Sequence, residues 1–183
     1  MKKLLLFIFA ISSFTVFAQT RQSLLAAALK HSNASDTSFL LRDSVLPHIY
    51  YDAESDSTML AELKSQKWIS QEDVIYMTAQ LKGYNPHLWT ADSIPNAKIV
   101  SSAKTPPAAI SYKKSVKAWR SYFKYYKSGY FDVSQPVFSK DGTMAIVYVS
   151  FQCGARCGNG GATLYKFEKG AWKPVKNLFS WEK

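Results

Sequence analysis

Cysteine is scarce in this chain of 183 residues, which contains only Cys153 and Cys157. Two thiols cannot build a disulfide scaffold, nor can they alone supply the four ligands of a structural zinc site. Acidic residues are also few, because 13 Asp and Glu stand against 23 Lys and Arg, for a formal net charge of +10. The chain is nevertheless 47% hydrophobic and 15% aromatic. This profile excludes a disordered tail, a collagen-like fibre and a coiled coil, and indicates one globular domain with its own core.

The longest apolar run lies at the start of the chain, in residues 4–17, directly after Lys2 and Lys3. Small side chains at Val16 and Ala18 then predict cleavage before Gln19. We therefore expect residues 1–18 to be a signal peptide and the mature chain to be soluble and exported, to the periplasm or the medium. The alternative is an N-terminal membrane anchor or a buried core helix, for which the run is short. No later segment is apolar enough to cross a membrane.

The mature chain, residues 19–183, reads as a single α+β domain with a helical part (19–91), a linker (92–111) and a final part (112–183). Helices are predicted over residues 21–30 and 57–67, and from Ser70, as the cap, to Gly83. Residues 39–51 read as irregular, or as a short helix that stops at Pro47. The linker holds a possible edge strand at 97–101. A long amphipathic helix is expected over residues 112–127, followed by strands over 131–139, 143–152, 161–168 and 171–179.

The turn residues at 140–142 and 169–170 are typical of hairpins, so we expect an antiparallel β-meander of four to five strands with the long helix packed on it. The Gly-x-Trp-Lys pattern of Gly170, Trp172 and Lys173 is similar to the closing strands of cone-shaped NTF2-like domains. More of the chain, about residues 115–183, resembles a family of small uncharacterised exported bacterial proteins. That resemblance rests on the segments 136–142 and 145–150, the Cys-Gly-x-x-Cys-Gly-x-Gly-Gly motif at 153–161 and the Ser-Trp pair at 180–181. It implies export and the sheet, but no activity.

The motif at 153–161 holds half of the eight glycines of the chain, which predicts a tight connection with positive φ angles. In an oxidising compartment we expect Cys153 and Cys157 to form a structural disulfide across it. Three other interpretations stay open. They are a redox pair, a metal site completed by histidines or carboxylates from elsewhere, and a cradle in which glycine amides and Arg156 hold an anion.

Two stripes run side by side along the helix predicted over residues 112–127. One is largely aromatic, and the other is basic and is a candidate anion-binding surface. The basic row consists of Lys113, Lys117, Arg120, Lys124 and Lys127. It predicts contact with an anionic envelope surface. The alternative is a helix that packs its aromatic side chains on the sheet while its cations face water.

We find no complete catalytic signature, no metal-ligand set and no cofactor motif. The sequence favours a non-enzymatic binding domain for an envelope component or a protein partner, and for an exported protein we do not expect nucleic acid. One alternative is an NTF2-like cone that binds or transforms a small molecule, with Trp119, Tyr122, Tyr148 and Tyr165 lining its cavity. A further alternative is a thiol-redox protein that uses Cys153 and Cys157.

If the basic row binds anionic envelope material, the protein should co-sediment with anionic vesicles at low salt and much less at 1 M salt, because the Debye length falls from about 10 Å at 0.1 M to about 3 Å at 1 M. Each lysine near such a surface contributes about 1 kcal/mol, so replacing three of the five with Gln should abolish binding. Neutral vesicles are the control. Equal binding to both vesicle types, or none at low salt, would leave the row as a solvated helix face.

Overall fold

The computed structural model of the chain describes residues 21–34, 38–44, 53–67, 69–82, 88–107 and 111–183. The predicted signal peptide lies outside the described residues, as do Pro47 and Gly83, at which helices were expected to stop. None of the helices within the described ranges has the length and the apolar character that a membrane span requires.

Helices dominate the first part of the chain and strands the second. In chain order the elements are α1 (21–31), β1 (Phe39–Arg42), α2 (Ala53–Ser65), α3 (Gln71–Lys82), β2 (Ala97–Val100), a short 3-10 helix (Ser102–Lys104), α4 (Tyr112–Tyr122), β3 (Tyr130–Val133), β4 (Val137–Phe138), β5 (Met144–Gly154), β6 (Cys157–Glu168) and β7 (Ala171–Glu182). The predicted α+β class is confirmed.

The strands form one sheet in the order β2-β1-β3-β5-β6-β7, and β4 pairs with β5 beside this path. β5 runs antiparallel to β3, β4 and β6, and β7 is antiparallel to β6, but β1 is parallel to both β2 and β3. The expectation of a purely antiparallel meander is therefore wrong. Parallel neighbours need a crossover connection, and helices lie in these crossovers, with α2 and α3 between β1 and β2 and α4 between β2 and β3.

Two strands differ from expectation. β1 occupies a segment expected to be irregular or helical, because Leu41 pairs with Ile99 on one side and Phe131 on the other and is fully buried between them. The strand expected over residues 131–139 is divided into β3 and β4. Pro136 lies in the gap and has no N–H to donate to a ladder, so an uninterrupted strand is disfavoured there. The edge strand expected at 97–101 is confirmed as β2.

Helices cover both faces of the sheet. On one face, Leu24, Leu25 and Leu29 of α1 share a core with Phe131, Val147 and other side chains of that face. On the other face, α2 and α3 pack on Ile146, Tyr148 and Leu164, while α4 packs on Tyr130 and Val100. Because successive strand residues point to opposite faces and both faces are covered, the first seven residues of β5 are all buried.

Side-chain hydrogen bonds fix α3 at both ends. The Ser70 hydroxyl accepts from the Asp73 backbone N–H at 3.0 Å, which confirms the predicted cap. Near the other end, the Gln80 amide donates to the Phe138 carbonyl at 2.7 Å and accepts from the Phe138 N–H at 3.2 Å. Gln80 therefore pairs with the outer edge of the two-residue strand β4, beside which the described part of the chain places no further strand.

The helix expected over residues 112–127 ends at Tyr122, so its last five residues were predicted wrongly. Residues 123–125 form a turn, in which Tyr125 donates to the Tyr122 carbonyl at 3.0 Å. Tyr122, Phe123, Tyr125 and Tyr126 are poorer helix formers than Lys or Ala. The chain must also enter β3 past Gly129, where a Cβ atom would collide with the Gln152 carbonyl oxygen.

Trp119 anchors α4 to the sheet, with its ring stacked on Tyr130 at a centroid distance of 5.6 Å and 7% of the residue exposed. We expect Trp119→Ala to lower the free energy of unfolding by about 3–5 kcal/mol, measured by urea denaturation, because the large side chain leaves a cavity. Tyr125→Ala is the matched control, since Tyr125 is 81% exposed, and it should change stability by less than about 0.5 kcal/mol. Equal effects would contradict the packing described here.

Candidate anion-binding pocket

A cavity of about 280 Å³ lies between α4 and the sheet, next to the turn that joins β5 and β6. β1, β3 and β5 supply its floor, α4 supplies one wall, and the β5–β6 turn supplies the rim. Its lining consists of Arg42, Pro106, Pro107, Tyr112, Ser115, Trp119, Tyr130, Asp132, Gln152, Gly154, Ala155, Arg156 and Lys183. The volume is near the lower end of ligand pockets, which span about 300–1,000 Å³.

A buried ion pair forms the floor of this pocket. The Arg42 Nε atom lies 2.5 Å from Asp132 Oδ1, and the two side chains are 11% and 3% exposed. Strand alternation places Tyr130 and Asp132 on the face that α4 covers, while Phe131 and Val133 enter the core under α1. The Arg42 guanidinium carbon also lies 5.5 Å from the centre of the Tyr130 ring.

Burial raises the pKa of Asp132 from its ordinary value of 3.8 to about 6, although Arg42 and the Ser150 hydroxyl act in the opposite direction. The ionised carboxylate is therefore less favourable in this site than in the unfolded chain. Burial also raises the pKa of the two neighbouring tyrosines, with the charge of Asp132 adding to the effect, and Tyr122 reaches about 12. An ion pair that fails to offset its own desolvation is weak evidence for a stabilising role. In a cavity it marks a candidate functional site.

Arg156 lies at the rim, with its guanidinium carbon 4.1 Å from the centre of the Tyr112 ring, a cation–π contact. Gly154 pairs with Cys157, so the turn between β5 and β6 consists of Ala155 and Arg156 alone. The Cys153–Cys157 disulfide closes this turn with a Cα–Cα distance of 5.0 Å, as predicted. Among the described residues, no carboxylate forms an ion pair with Arg156, so its charge is available to a ligand.

The glycine-rich segment after Cys157 is not the tight connection with positive φ angles that we expected. Gly158, Gly160 and Gly161 belong to β6 and pair with β5, whereas the described glycines with positive φ are Gly142 and Gly170, in hairpin turns. The glycines make room for the Trp181 indole. A Cβ atom at Gly160 would lie 2.9 Å from Trp181 Nε1 and 2.6 Å from Ser150 Cβ. Because these backbone groups belong to a strand of the sheet, the segment does not form the open loop that the predicted anion cradle required.

The basic row is exposed to solvent, but it does not line the pocket. All five of its side chains are exposed, and none of them lines the cavity, which α4 faces with Tyr112, Ser115 and Trp119. At 100° per residue, Lys113, Lys117 and Arg120 lie about 140° around the helix from that wall. The structure therefore brings Arg156 to the pocket but leaves Lys113, Lys117 and Arg120 on the outer surface of α4, with Lys124 and Lys127 in the segment that follows the helix. Anion binding by the row stays a prediction.

The four aromatic residues expected to line an NTF2-like cavity do not converge. Trp119 and Tyr122 belong to the cluster under α4, whereas Tyr148 and Tyr165 lie in the cores on opposite faces of the sheet. Among the described residues, no group of three or more His, Cys, Asp or Glu side chains could hold a metal ion. Two of the three histidines, His48 and His87, lie outside those residues.

Sequence analysis missed Arg42 and Asp132, the two residues at the floor. A signal was present for one of them, because Asp132 stands alone in the otherwise apolar run from Tyr130 to Val133. A carboxylate in a strand that is buried on both faces needs a partner, but the partner comes from a strand about 90 residues earlier in the chain.

Compared with known proteins, the chain matches no family model, and no curated protein or solved structure is significantly similar to it. Function must therefore be argued from the chemistry of the pocket.

The raised pKa of Asp132 predicts the direction in which the free energy of unfolding changes with pH. Between about pH 4 and pH 6 the folded chain holds a proton on Asp132 that the unfolded chain has lost. The contribution of this group therefore falls by about 2–3 kcal/mol as pH rises through that window. Asp132→Asn should abolish this loss, so that at pH 7.5 the variant is more stable than the wild type by a similar amount. Urea denaturation at pH 4 and pH 7.5 measures it.

The control for this experiment is Asp92→Asn, which removes an exposed carboxylate far from the pocket. It should keep the pH dependence of the wild type. A variant Asp132→Asn that is less stable than the wild type at pH 7.5 would show that the ion pair stabilises the fold instead.

Proposed function

We propose that this chain is an exported, non-enzymatic binding protein that holds a small organic anion in the pocket between α4 and the sheet. One observation carries the proposal: a buried Arg42–Asp132 pair at the floor and the exposed Arg156 at the rim converge on one cavity. Convergent polar groups in a cleft that also presents aromatic rings, here those of Tyr112, Trp119 and Tyr130, are a usual mark of a small-molecule site.

The lining favours an anion with an apolar body. Arg42 and Arg156 supply forked N–H donors, which match carboxylate oxygens better than a lysine does. Tyr112, Trp119 and Tyr130 offer aromatic surface beside them. The described lining holds no histidine, no thiol and no second side-chain carboxylate that could act on a bound molecule, which supports binding over catalysis.

Export supports the same proposal, although it rests on the predicted signal peptide and on the family resemblance. The ligand would then be a component of the periplasm, the envelope or the medium. An NTF2-like small-molecule protein remains a related alternative, but with its site at one end of the sheet under α4 and not inside a cone of the four expected aromatic residues.

A second candidate function is attachment to an anionic envelope surface through the basic row. The observation in its favour is that all five cations are exposed, three on the outer side of α4 and two in the segment that follows it. The burial of Trp119 speaks against α4 as a partner-binding helix, because its aromatic stripe is already occupied by the sheet. The thiol-redox alternative has less support, because the cysteines lie at a strand hairpin and not at a helix N-terminus.

The test is a titration of the ¹⁵N-labelled protein with acetate, benzoate and inorganic phosphate, followed by the indole N–H signal of Trp119, with benzyl alcohol as the neutral counterpart of benzoate. We expect a saturable shift with at least one anion and none with benzyl alcohol. Arg156→Gln should weaken that binding by about tenfold or more, since it removes a charge-assisted hydrogen bond.

Lys117→Gln is the matched control, because it removes one cation from the same region but outside the pocket. It should leave the affinity unchanged. If none of the three anions shifts the Trp119 signal, the proposed function is wrong. If Lys117→Gln weakens binding as much as Arg156→Gln does, the anions bind to the general positive field of the protein and not to the pocket.

A further inference from the structure

We infer that the pocket takes up its anion together with one proton, so that the carboxylate of the ligand replaces Asp132 as the counter-charge of Arg42. The inference rests on the proposed function, and it specifies a carboxylate ligand and a dependence on pH. No covalent bond changes: the proton comes from solvent and resides on an Asp132 carboxyl oxygen while the ligand is bound.

The geometry forces this exchange on any anion that reaches the floor. Asp132 is 2% exposed and lies against Arg42, so a ligand carboxylate that approaches Arg42 also approaches Asp132. Two carboxylates that share one buried site cannot both stay ionised, because their repulsion is little screened. The incoming anion must therefore stay at the rim with Arg156 or drive a proton onto Asp132.

The elements around Asp132 bring several charged and titratable side chains to the floor of the pocket. β1 contributes Arg42, the turn contributes Arg156, and Lys183 follows β7, and the side chains of all three are cations. β3 contributes Tyr130 and α4 contributes Tyr122, whose pKa values are raised by burial, so both remain neutral. β5 contributes the uncharged side chains of Ser150 and Gln152. Among the described side chains at the floor, Asp132 is therefore the one that can accept a proton near neutral pH.

The pKa of Asp132 in the ligand-free chain, about 6, supports this assignment. At pH 7.5 most molecules must gain a proton before the carboxylate binds at the floor, whereas at pH 5.5 most molecules already carry it. By linkage the affinity should rise by close to tenfold for each unit by which the pH falls towards 6, and then level off.

The experiment measures benzoate binding by the Trp119 indole signal at pH 5.5 and pH 7.5, at which benzoate itself stays ionised. Calorimetry at pH 7.5 in two buffers with different ionisation enthalpies gives the number of protons taken up. We expect binding at least tenfold tighter at pH 5.5 and the uptake of close to one proton at pH 7.5. Asp132→Asn should bind with equal affinity at both pH values, without proton uptake, and more tightly than the wild type at pH 7.5.

Asp92→Asn is the control and should keep the pH dependence of the wild type. An unchanged Trp119 signal in the ligand-free Asp132→Asn protein establishes that its pocket is intact. Benzoate binding that is independent of pH and takes up no proton would overturn the inference and leave the proposed function standing. Benzoate binding at neither pH, together with no response to acetate or phosphate, would remove the proposed function and the inference with it.

Discussion

The burial of β5 on both faces is the constraint on which the rest of this molecule depends. Its first six side chains alternate between the core under α1 and the core under α2 and α3, and the seventh, Ser150, is buried as well. β5 also pairs with β3, β4 and β6, so three strands take their register from it. The two faces are covered differently. Of the described helices, α1 covers one side, together with Trp89 and Ile94, and helices from separate parts of the chain cover the other. The candidate pocket lies on that second face, beside α4.

The fold holds the ion pair at the floor of the pocket, although this pair does not make the fold more stable. Placing Asp132 in a strand beside β5 removes its carboxylate from water, and one arginine does not restore the lost hydration. A leucine or a threonine would suit that strand position better on packing grounds alone. The disulfide-closed turn holds Arg156 over Tyr112, so that a second arginine faces the same cavity.

Patterns among neighbouring residues predicted local structure correctly. They could not predict features that depend on pairing between distant segments. The Ser70 cap, the hairpin turns at Gly142 and Gly170 and the apolar run of β5 are signals carried by neighbouring residues, and the structure confirms them. β1 was missed because four residues without strict alternation become a strand only when β2 and β3 lie on either side. The glycine-rich motif was interpreted as a loop because the reason for its glycines, the indole of Trp181, lies about 20 residues away.

The residues of the candidate site also fall into those that the sequence could predict and those that it could not. Arg156 and the disulfide were accessible from sequence, since both belong to one short motif. The Arg42–Asp132 pair was not, because it depends on the parallel pairing of β1 with β3, and parallel partners are joined by long crossovers that leave no short-range signal.

The last strand, β7, is an outer edge of the sheet and spans twelve residues, Ala171–Glu182. The unpaired backbone groups of such a long edge could pair with a strand of a second chain, which is a route to fibril formation. Three features of β7 disfavour such pairing. They are Pro174, the two lysines Lys173 and Lys176, and the register shifts opposite Ala162 and Leu164. The proline and the lysines of β7 thus disfavour the addition of a second chain to this border of the sheet, which is a role apart from any ligand.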